Sequence, residues 1–146
     1  VPYNLDAWDG YGAARETVLN MARTLNKNLV VLAGDTHNAW ASDLQDAGGQ
    51  AVGVEFGVPS VTSPGFESYF PTFAPATVGG GLEQLIGPLK YAETASRGFV
   101  VLTVTPTETK AEYRYVDTVR SKTYAAAVRK TVRTLPGAGN RTIVAG

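Results

Sequence analysis

The chain has 146 residues, which is enough for one domain with a sizeable buried core. Its 44% hydrophobic and 18% charged residues are typical of a globular protein and exclude a disordered chain. The 13 basic and 13 acidic residues cancel, which argues against nucleic acid as a specific partner, and the lack of cysteine excludes internal disulfides.

An acidic segment at residues 6–11, DAWDGY, precedes a predicted helix. Apolar residues recur at helical spacing between Ala13 and Leu25, so we predict an amphipathic helix there, with Asp9 or Gly10 at its start. Two interpretations of the aspartates remain open at this point. They form part of a cation site, or they are solvated residues that the helix dipole stabilises.

The most informative segment is LVVLAGDTH at residues 29–37. Its continuous apolar run predicts a central strand, and the Gly-Asp-x-His that follows places Asp35 and His37 on one face of an extended chain. A carboxylate oxygen and a neutral imidazole nitrogen are suitable cation ligands, although a lone histidine is more often a structural residue. Loops at one edge of a sheet converge, so we expect Asp6 to approach Asp35.

The middle of the chain alternates between strand and loop patterns. Strands are predicted at 39–44 and 51–56, with a turn at 45–50. Residues 57–81 combine Pro, Gly, Ser and Thr with several aromatics, which predicts a packed loop that either shapes access to the site or covers the edge of the core. A short helix is predicted at 82–86. The preceding glycine run, Gly79 to Gly81, is interpreted as a flexible joint.

The last third is predicted to be mostly β. A hairpin is expected from strands 99–105 and 110–116. Residues 124–135 fit a strand somewhat better than a helix, and 136–146 form an extended tail or a final edge strand. Several basic residues in this part lie on a solvated strand face or form a surface for phosphorylated groups: Arg114, Arg120, Lys122, Arg129, Lys130, Arg133 and Arg141.

Four motifs in order resemble the PhoD-like alkaline phosphatases, which belong to the metallophosphoesterase (calcineurin-like) superfamily. They are DAWDGY at 6–11, GDTHNAWA at 34–41, VEF at 54–56 with PSVTSPG at 59–65, and RGFVVLTVTP at 97–106. The resemblance runs to about Thr118. It implies an α/β fold, the C-terminal part of a metallophosphoesterase β-sandwich flanked by helices. Residues 1–120 would be the C-terminal portion of that domain, and 121–146 its terminal strand and tail.

The resemblance also implies roles for individual residues. Asp6 and Asp35 correspond to calcium ligands and His37 to an iron ligand, while Trp8 would contribute its main-chain carbonyl. Lys90 is the best candidate for a lysine that helps to hold phosphate in relatives. These assignments make the cofactors Ca²⁺ and Fe³⁺, with Zn²⁺ or Mn²⁺ as the alternative.

The activity implied is hydrolysis of phosphate mono- or diesters by metal-activated water. Such chemistry requires no side-chain nucleophile, in agreement with the absence of cysteine and of a Gly-x-Ser-x-Gly motif. Two alternatives are kept. One is a related metallophosphoesterase with another metal pair and a narrower substrate, such as a nucleotide or a phospholipid. The other is a non-catalytic binding or structural module that retains the fold.

The earlier metal ligands of the family are expected upstream of Val1, so this segment would need the N-terminal half of the same protein as its partner. We therefore expect the isolated segment to be inactive or nearly so. Members of the family are exported, which implies a periplasmic or secreted location. No apolar run of transmembrane length and no signal peptide is visible in the sequence.

Overall fold

The computed structural model describes residues 5–146, in which two α-helices and eight strands follow a short 3₁₀ turn at Trp8–Tyr11. The helices and strands, in chain order, are α1 Gly12–Thr24, β1 Leu29–Ala33, β2 Ala39–Gln45, β3 Ala51–Gly57, α2 Pro75–Leu85, β4 Leu89–Glu93, β5 Gly98–Val104, β6 Thr109–Val116, β7 Ala126–Thr134 and β8 Val144–Ala145. None of the helices within this described range is long and apolar enough to cross a bilayer.

The strands form two four-stranded sheets. The first sheet has the order β1-β3-β2-β4, with β1 parallel to β3 and the remaining pairs antiparallel. The second sheet is an antiparallel meander in the order β5-β6-β7-β8. The predicted α/β sandwich is thereby confirmed. Its core lies between the two sheets and is formed by Ala39, Ala41, Val54, Phe56, Ala111, Tyr113, Tyr115 and Val132.

Tyrosine hydroxyl groups connect the two sheets inside this core. The Tyr113 hydroxyl donates to the main-chain oxygen of Trp40 on β2, at 2.6 Å. The hydroxyls of Tyr91 on β4 and Tyr115 on β6 lie 2.7 Å apart. Burial raises the pKa of all three tyrosines, so the neutral, hydrogen-bonding form is retained. The first bond fixes the start of β2 against the second sheet, and the second bond fixes β4 against it.

Three predictions about individual elements are corrected. The apolar segment at Leu29–Ala33 is a strand, but among the described residues β1 lies at an edge and pairs only with β3. An apolar run indicates that the faces of a strand are covered, but it does not indicate how many neighbouring strands pair with it. The strand β4 was not predicted. Its five residues, LKYAE, lie close behind a proline and show only a short alternation.

The second helix is longer than predicted and begins at Pro75 rather than at Leu82. The glycine run interpreted as a joint lies inside it. Glycine lowers helix propensity, but a side chain at Gly79 would come within 2.7 Å of the Ala92 carbonyl oxygen on β4. Close packing of α2 on β4 therefore requires glycine there, and Pro75 at the first turn is well suited to start a helix.

The other predicted elements are present with small shifts of their ends. The helix at 12–24, the strands β2 and β3, and the hairpin β5–β6 are confirmed. Residues 126–134 form a strand, not a helix, and Val144–Ala145 is a short edge strand on β7.

Candidate metal centre

The ligand loop, residues 34–37, connects β1 to β2 at the edge of the first sheet. It is not extended as predicted. Asp35 and His37 adopt left-handed backbone conformations, with φ of 69° and 61°. Left-handed residues other than glycine are uncommon and cost free energy, and they cluster at functional sites. Both side chains are exposed, so the loop presents a carboxylate and an imidazole to the surroundings from a strained turn.

The imidazole of His37 is oriented by a neighbouring loop. Its Nδ1 atom lies 3.0 Å from the carbonyl oxygen of Pro64. A carbonyl oxygen only accepts hydrogen bonds, so Nδ1 carries the proton and the Nε2 lone pair of the neutral ring is available. Metal-bound histidines in proteins are commonly held in this way, with one nitrogen on the metal and the other on a carbonyl. The geometry therefore fits a ligand that coordinates through Nε2.

Asn38 holds the ligand loop from inside the protein. This residue is fully buried; its Nδ2 donates to the Thr36 carbonyl, and its Oδ1 accepts from the main-chain N–H of Phe66 at 3.0 Å. A side chain at Gly65 would lie 2.5 Å from the Asn38 Oδ1 atom, so position 65 requires glycine. Asn38 is not among the site residues predicted from the sequence. The signal that could have identified Asn38 is its position directly after the Gly-Asp-x-His motif.

A second contact stabilises Thr36, which lies between the two candidate ligands. The indole Nε1 of Trp40 donates to the Thr36 hydroxyl at 2.7 Å, and the Trp40 carbonyl in turn accepts from Tyr113. The Trp40 ring packs edge-to-face on Phe66, with centroids 5.8 Å apart. The conformation of the ligand loop is thus set by side chains that come from both sheets and from the following loop.

The loop beyond Pro64 is held by an acidic residue. The Glu67 carboxylate pairs with the Arg97 guanidinium and accepts from the Gly65 N–H at 3.0 Å. The main-chain N–H of Gly98, at the start of β5, donates to the Ser60 carbonyl at 3.0 Å. Arg97 and Gly98 therefore help to hold the loop whose Pro64 carbonyl contacts His37.

Asp6 and Trp8 lie in the turn that precedes α1. Trp8 is 48% exposed and borders a cleft beneath α1, together with Leu19, Val31 and Glu55. Burial raises the pKa of Glu55, and the positive charge of Arg15 partly offsets this effect. The approach of Asp6 to Asp35 stays a prediction. In residues 5–146, no three His, Cys, Asp or Glu side chains are grouped in a way that could hold a metal ion.

Lys90 does not lie beside the ligand loop. In the register of β2 and β4, Glu93 is opposite Ala39, and Lys90 falls near Ala41 and Ser42. Lys90 therefore lies level with a point two to three residues along β2 from its start, a distance of roughly 7–10 Å along the strand. Its Nζ atom donates to the Gly87 carbonyl at 3.0 Å and lies 3.6 Å from the Asp43 carboxylate.

Several of the basic residues in the C-terminal third have acidic or aromatic partners. Arg129 lies over the Tyr115 ring, 4.0 Å from its centroid, and 3.9 Å from the Glu93 carboxylate. Arg133 pairs with Glu108 at 3.3 Å. This arrangement favours the interpretation of these side chains as an exposed strand face.

The sequence matches a family model described as PhoD-like phosphatase over residues 1–113. The chain belongs to this family. It is 34% identical over 134 residues to alkaline phosphatase D of Bacillus subtilis (strain 168), an alignment that covers 87% of this chain and 22% of that protein.

The fold comparison agrees. A solved structure described as the structure of PhoD matches with a TM-score of 0.76 and 31% sequence identity, over 97% of this chain and 27% of the other. The chain thus spans about a quarter of the length of these two PhoD relatives.

Proposed function

We propose that this segment forms part of a metal-dependent phosphoesterase that hydrolyses phosphate mono- or diesters with water as the nucleophile. Membership of the PhoD-like family supports phosphoester hydrolysis in general. The single observation in the structure that carries the proposal is the His37–Pro64 hydrogen bond, because it leaves Nε2 of an exposed imidazole available in the same loop as the exposed Asp35 carboxylate.

The donor set suits the cations that we propose. Asp6, Asp35 and the carbonyl of Trp8 would hold calcium, and the Nε2 atom of His37 would hold iron, with zinc or manganese as the alternative. Bound cations neutralise charge on phosphoryl oxygens and lower the pKa of water. The contribution of the chain itself is orientation. Asn38 and Trp40 hold Thr36, and Pro64 holds His37, so the loop and the imidazole ring keep a fixed orientation.

We further propose that the remaining ligands come from parts of the protein outside this segment. The described residues group fewer than three His, Cys, Asp or Glu side chains at any one point, and the chain corresponds to about a quarter of its relatives. On this proposal the isolated segment is inactive, and the N-terminal half restores activity. A periplasmic or secreted location is proposed from the family alone.

The role of Lys90 in holding phosphate stays a prediction. Its ammonium group already has the Asp43 carboxylate and the Gly87 carbonyl as partners. Replacement Lys90→Met in the full-length protein, compared with Lys110→Met on β6, decides the question. A rise in KM for a phosphoester that is confined to Lys90→Met would support the role.

The experiment that tests the proposed function combines elemental analysis with an activity assay on the full-length protein. We expect bound calcium and iron, and hydrolysis of p-nitrophenyl phosphate or bis(p-nitrophenyl) phosphate that chelators abolish. Zinc or manganese with activity would favour the related metallophosphoesterase. A full-length protein without metal and without turnover would favour a non-catalytic module and overturn the proposal.

A further inference from the structure

The peptide group between Pro64 and Gly65 is bound at both of its ends by side chains. Its carbonyl oxygen, on Pro64, lies 3.0 Å from Nδ1 of His37, and its N–H, on Gly65, donates to the Oε2 atom of Glu67 at 3.0 Å. A peptide group is planar, and in the trans form found here its C=O and N–H point in opposite directions. His37 and Glu67 therefore bind opposite sides of one rigid polar unit.

The Glu67 carboxylate is itself held in place. Its other oxygen, Oε1, pairs with the guanidinium of Arg97, which also donates to the Ala95 carbonyl. The side chains of Glu67 and Arg97 are 29% and 16% exposed, so water and salt screen their charges only in part. Each carboxylate oxygen thus has its own partner, and one of the two is directed at the Gly65 N–H.

A carboxylate that accepts from the N–H of a peptide group polarises that group. Hydrogen bonds to charged acceptors are roughly twice as strong as neutral ones, and successive hydrogen bonds in a chain strengthen one another. Electron density shifts toward the Pro64 oxygen, which becomes a better acceptor for the Nδ1 proton of His37. The ring is then a stronger donor at Nε2, as in metal sites where a carboxylate binds the far nitrogen of a ligating histidine.

We propose that Glu67 is a positioning residue for His37, and that its charge acts through the peptide group 64–65 to hold the Nδ1–H form of the ring and to strengthen Nε2 as a cation ligand. The inference rests on the proposed function and deepens it, because it assigns a role in the candidate metal centre to a residue that reaches His37 only through another group. Arg97 has the opposite electronic effect, since its positive charge draws part of the Glu67 charge away from the peptide group.

A purely structural role of the Glu67–Arg97 ion pair would have different consequences. Glu67→Gln and Arg97→Gln both break this pair, so a brace that only holds the loop would lose cation affinity in both variants. Transmission of charge separates the two. Glu67→Gln removes the negative charge at nearly constant shape and should weaken cation binding by about tenfold. Arg97→Gln leaves that charge in place and should bind the cation at least as tightly as the wild type.

The test uses the full-length protein after its metals are removed with a chelator. The dissociation constant for Zn²⁺ is measured by competition with a chromogenic chelator, and the binding step that His37→Gln abolishes identifies the relevant site. Glu108→Gln is the matched control, because it breaks the Glu108–Arg133 pair at the turn between β5 and β6, and the Glu108 side chain is 26% exposed, close to the value for Glu67. This control should keep the wild-type affinity for Zn²⁺.

A second measurement requires no metal. In the metal-free protein labelled with ¹⁵N-histidine, the chemical shifts of the two ring nitrogens report which nitrogen carries the proton, and His37→Gln assigns the His37 signals. We expect a dominant Nδ1–H form that decreases in Glu67→Gln and persists in Arg97→Gln. An unchanged tautomer ratio in Glu67→Gln overturns the proposal, and so do equal losses of Zn²⁺ affinity in Glu67→Gln and Arg97→Gln.

The two measurements also separate this inference from the proposed function. A wild-type protein that binds no cation would contradict the proposed function. In that case a decrease of the Nδ1–H form in Glu67→Gln, but not in Arg97→Gln or Glu108→Gln, would still support the action of Glu67 on His37.

Discussion

The Nδ1 atom of His37 lies 3.0 Å from the carbonyl oxygen of Pro64, 27 residues further along the chain. The direction of the imidazole is thus set by a loop other than its own. That loop is itself held by Glu67 and Arg97, so the candidate ligand depends on a support that extends to the start of β5.

The first prediction concerns metal retention. In the full-length protein, Asp35→Ala and His37→Ala should each abolish retention of one type of cation, with loss of phosphoesterase activity. Both side chains are exposed, so the circular dichroism spectrum should be unchanged. Elemental analysis after gel filtration provides the measurement. Normal metal content in either variant would contradict the ligand assignment.

The second prediction uses the left-handed backbone at Asp35, where φ is 69°. Glycine adopts this conformation readily, whereas alanine is strained there by about 1 kcal/mol. Asp35→Gly should therefore be more stable than Asp35→Ala by about that amount, as measured by urea denaturation. Both variants should be equally deficient in metal. Equal stabilities would show that the turn relaxes out of the left-handed region.

The third prediction separates Asp6 from Asp9, two exposed carboxylates within one turn of chain. If Asp6 is a calcium ligand, Asp6→Asn should lower bound calcium and activity in the full-length protein. Asp9→Asn is the control, since it removes the same charge at nearly the same place. Equal effects of the two substitutions would point to a general electrostatic contribution and would contradict the assignment of Asp6.

The fourth prediction compares two glycines. A Cβ at Gly65 would lie 2.5 Å from the Asn38 Oδ1 atom and 2.7 Å from the Thr94 carbonyl, whereas Gly80 in α2 has open space. Gly65→Ala should destabilise the protein by at least about 1–3 kcal/mol, because the buried Asn38 amide loses its position. Gly80→Ala should stabilise it by about 0.5–1 kcal/mol through helix propensity. Thermal or urea unfolding measures both, and Gly65→Ala should also lose metal.

The fifth prediction concerns alkaline pH. Burial raises the pKa of Tyr113 above its usual value near 10, so the folded state keeps the proton longer than the unfolded state does. The stabilisation is complete below pH 10 and is lost as the pH rises above it, by up to about 1.4 kcal/mol per pH unit for each such tyrosine. Urea midpoints of the full-length protein between pH 7 and 11 should fall accordingly.

Tyr113→Phe tests this origin of the alkaline loss. At pH 7 the variant should be less stable by about 1 kcal/mol, because the hydrogen bond to the Trp40 carbonyl is removed. Its stability should decline less steeply above pH 10. Tyr124→Phe, at an exposed position, should have the same dependence of the urea midpoint on pH as the wild type. A slope that Tyr113→Phe does not alter would assign the alkaline loss to other groups.

The sequence was sufficient to predict most strands and the helix before β1, because their signals are local. The alternation of apolar and polar residues at 51–57 and the helical spacing of apolar residues at 12–24 depend only on which face of the element is buried. The prediction failed where a distant contact decides the outcome. The glycine run in α2 is helical because it packs on Ala92, which lies beyond the helix.

The candidate site was predictable as a set of residue types but not as a geometry. The Asp-x-His pattern indicated two candidate ligands. The extended backbone predicted for them was wrong, since both residues have a left-handed backbone conformation. That conformation is stabilised by contacts from Asn38 and Trp40 to Thr36, and by the Pro64 carbonyl, which contacts His37 only after the loop at 58–74 folds back. No local pattern in residues 34–37 contains this information.

The hydrogen bond from Tyr113 to Trp40 spans 73 residues and has a consequence for biosynthesis. At a translation rate of about 5–20 residues per second, several seconds pass between synthesis of the ligand loop and synthesis of the strand that anchors it. During that interval Asp35 and His37 belong to an unsupported nascent segment. If Asp35 and His37 bind cations as proposed, correct loading would follow the completion of β6 rather than the synthesis of the ligands themselves.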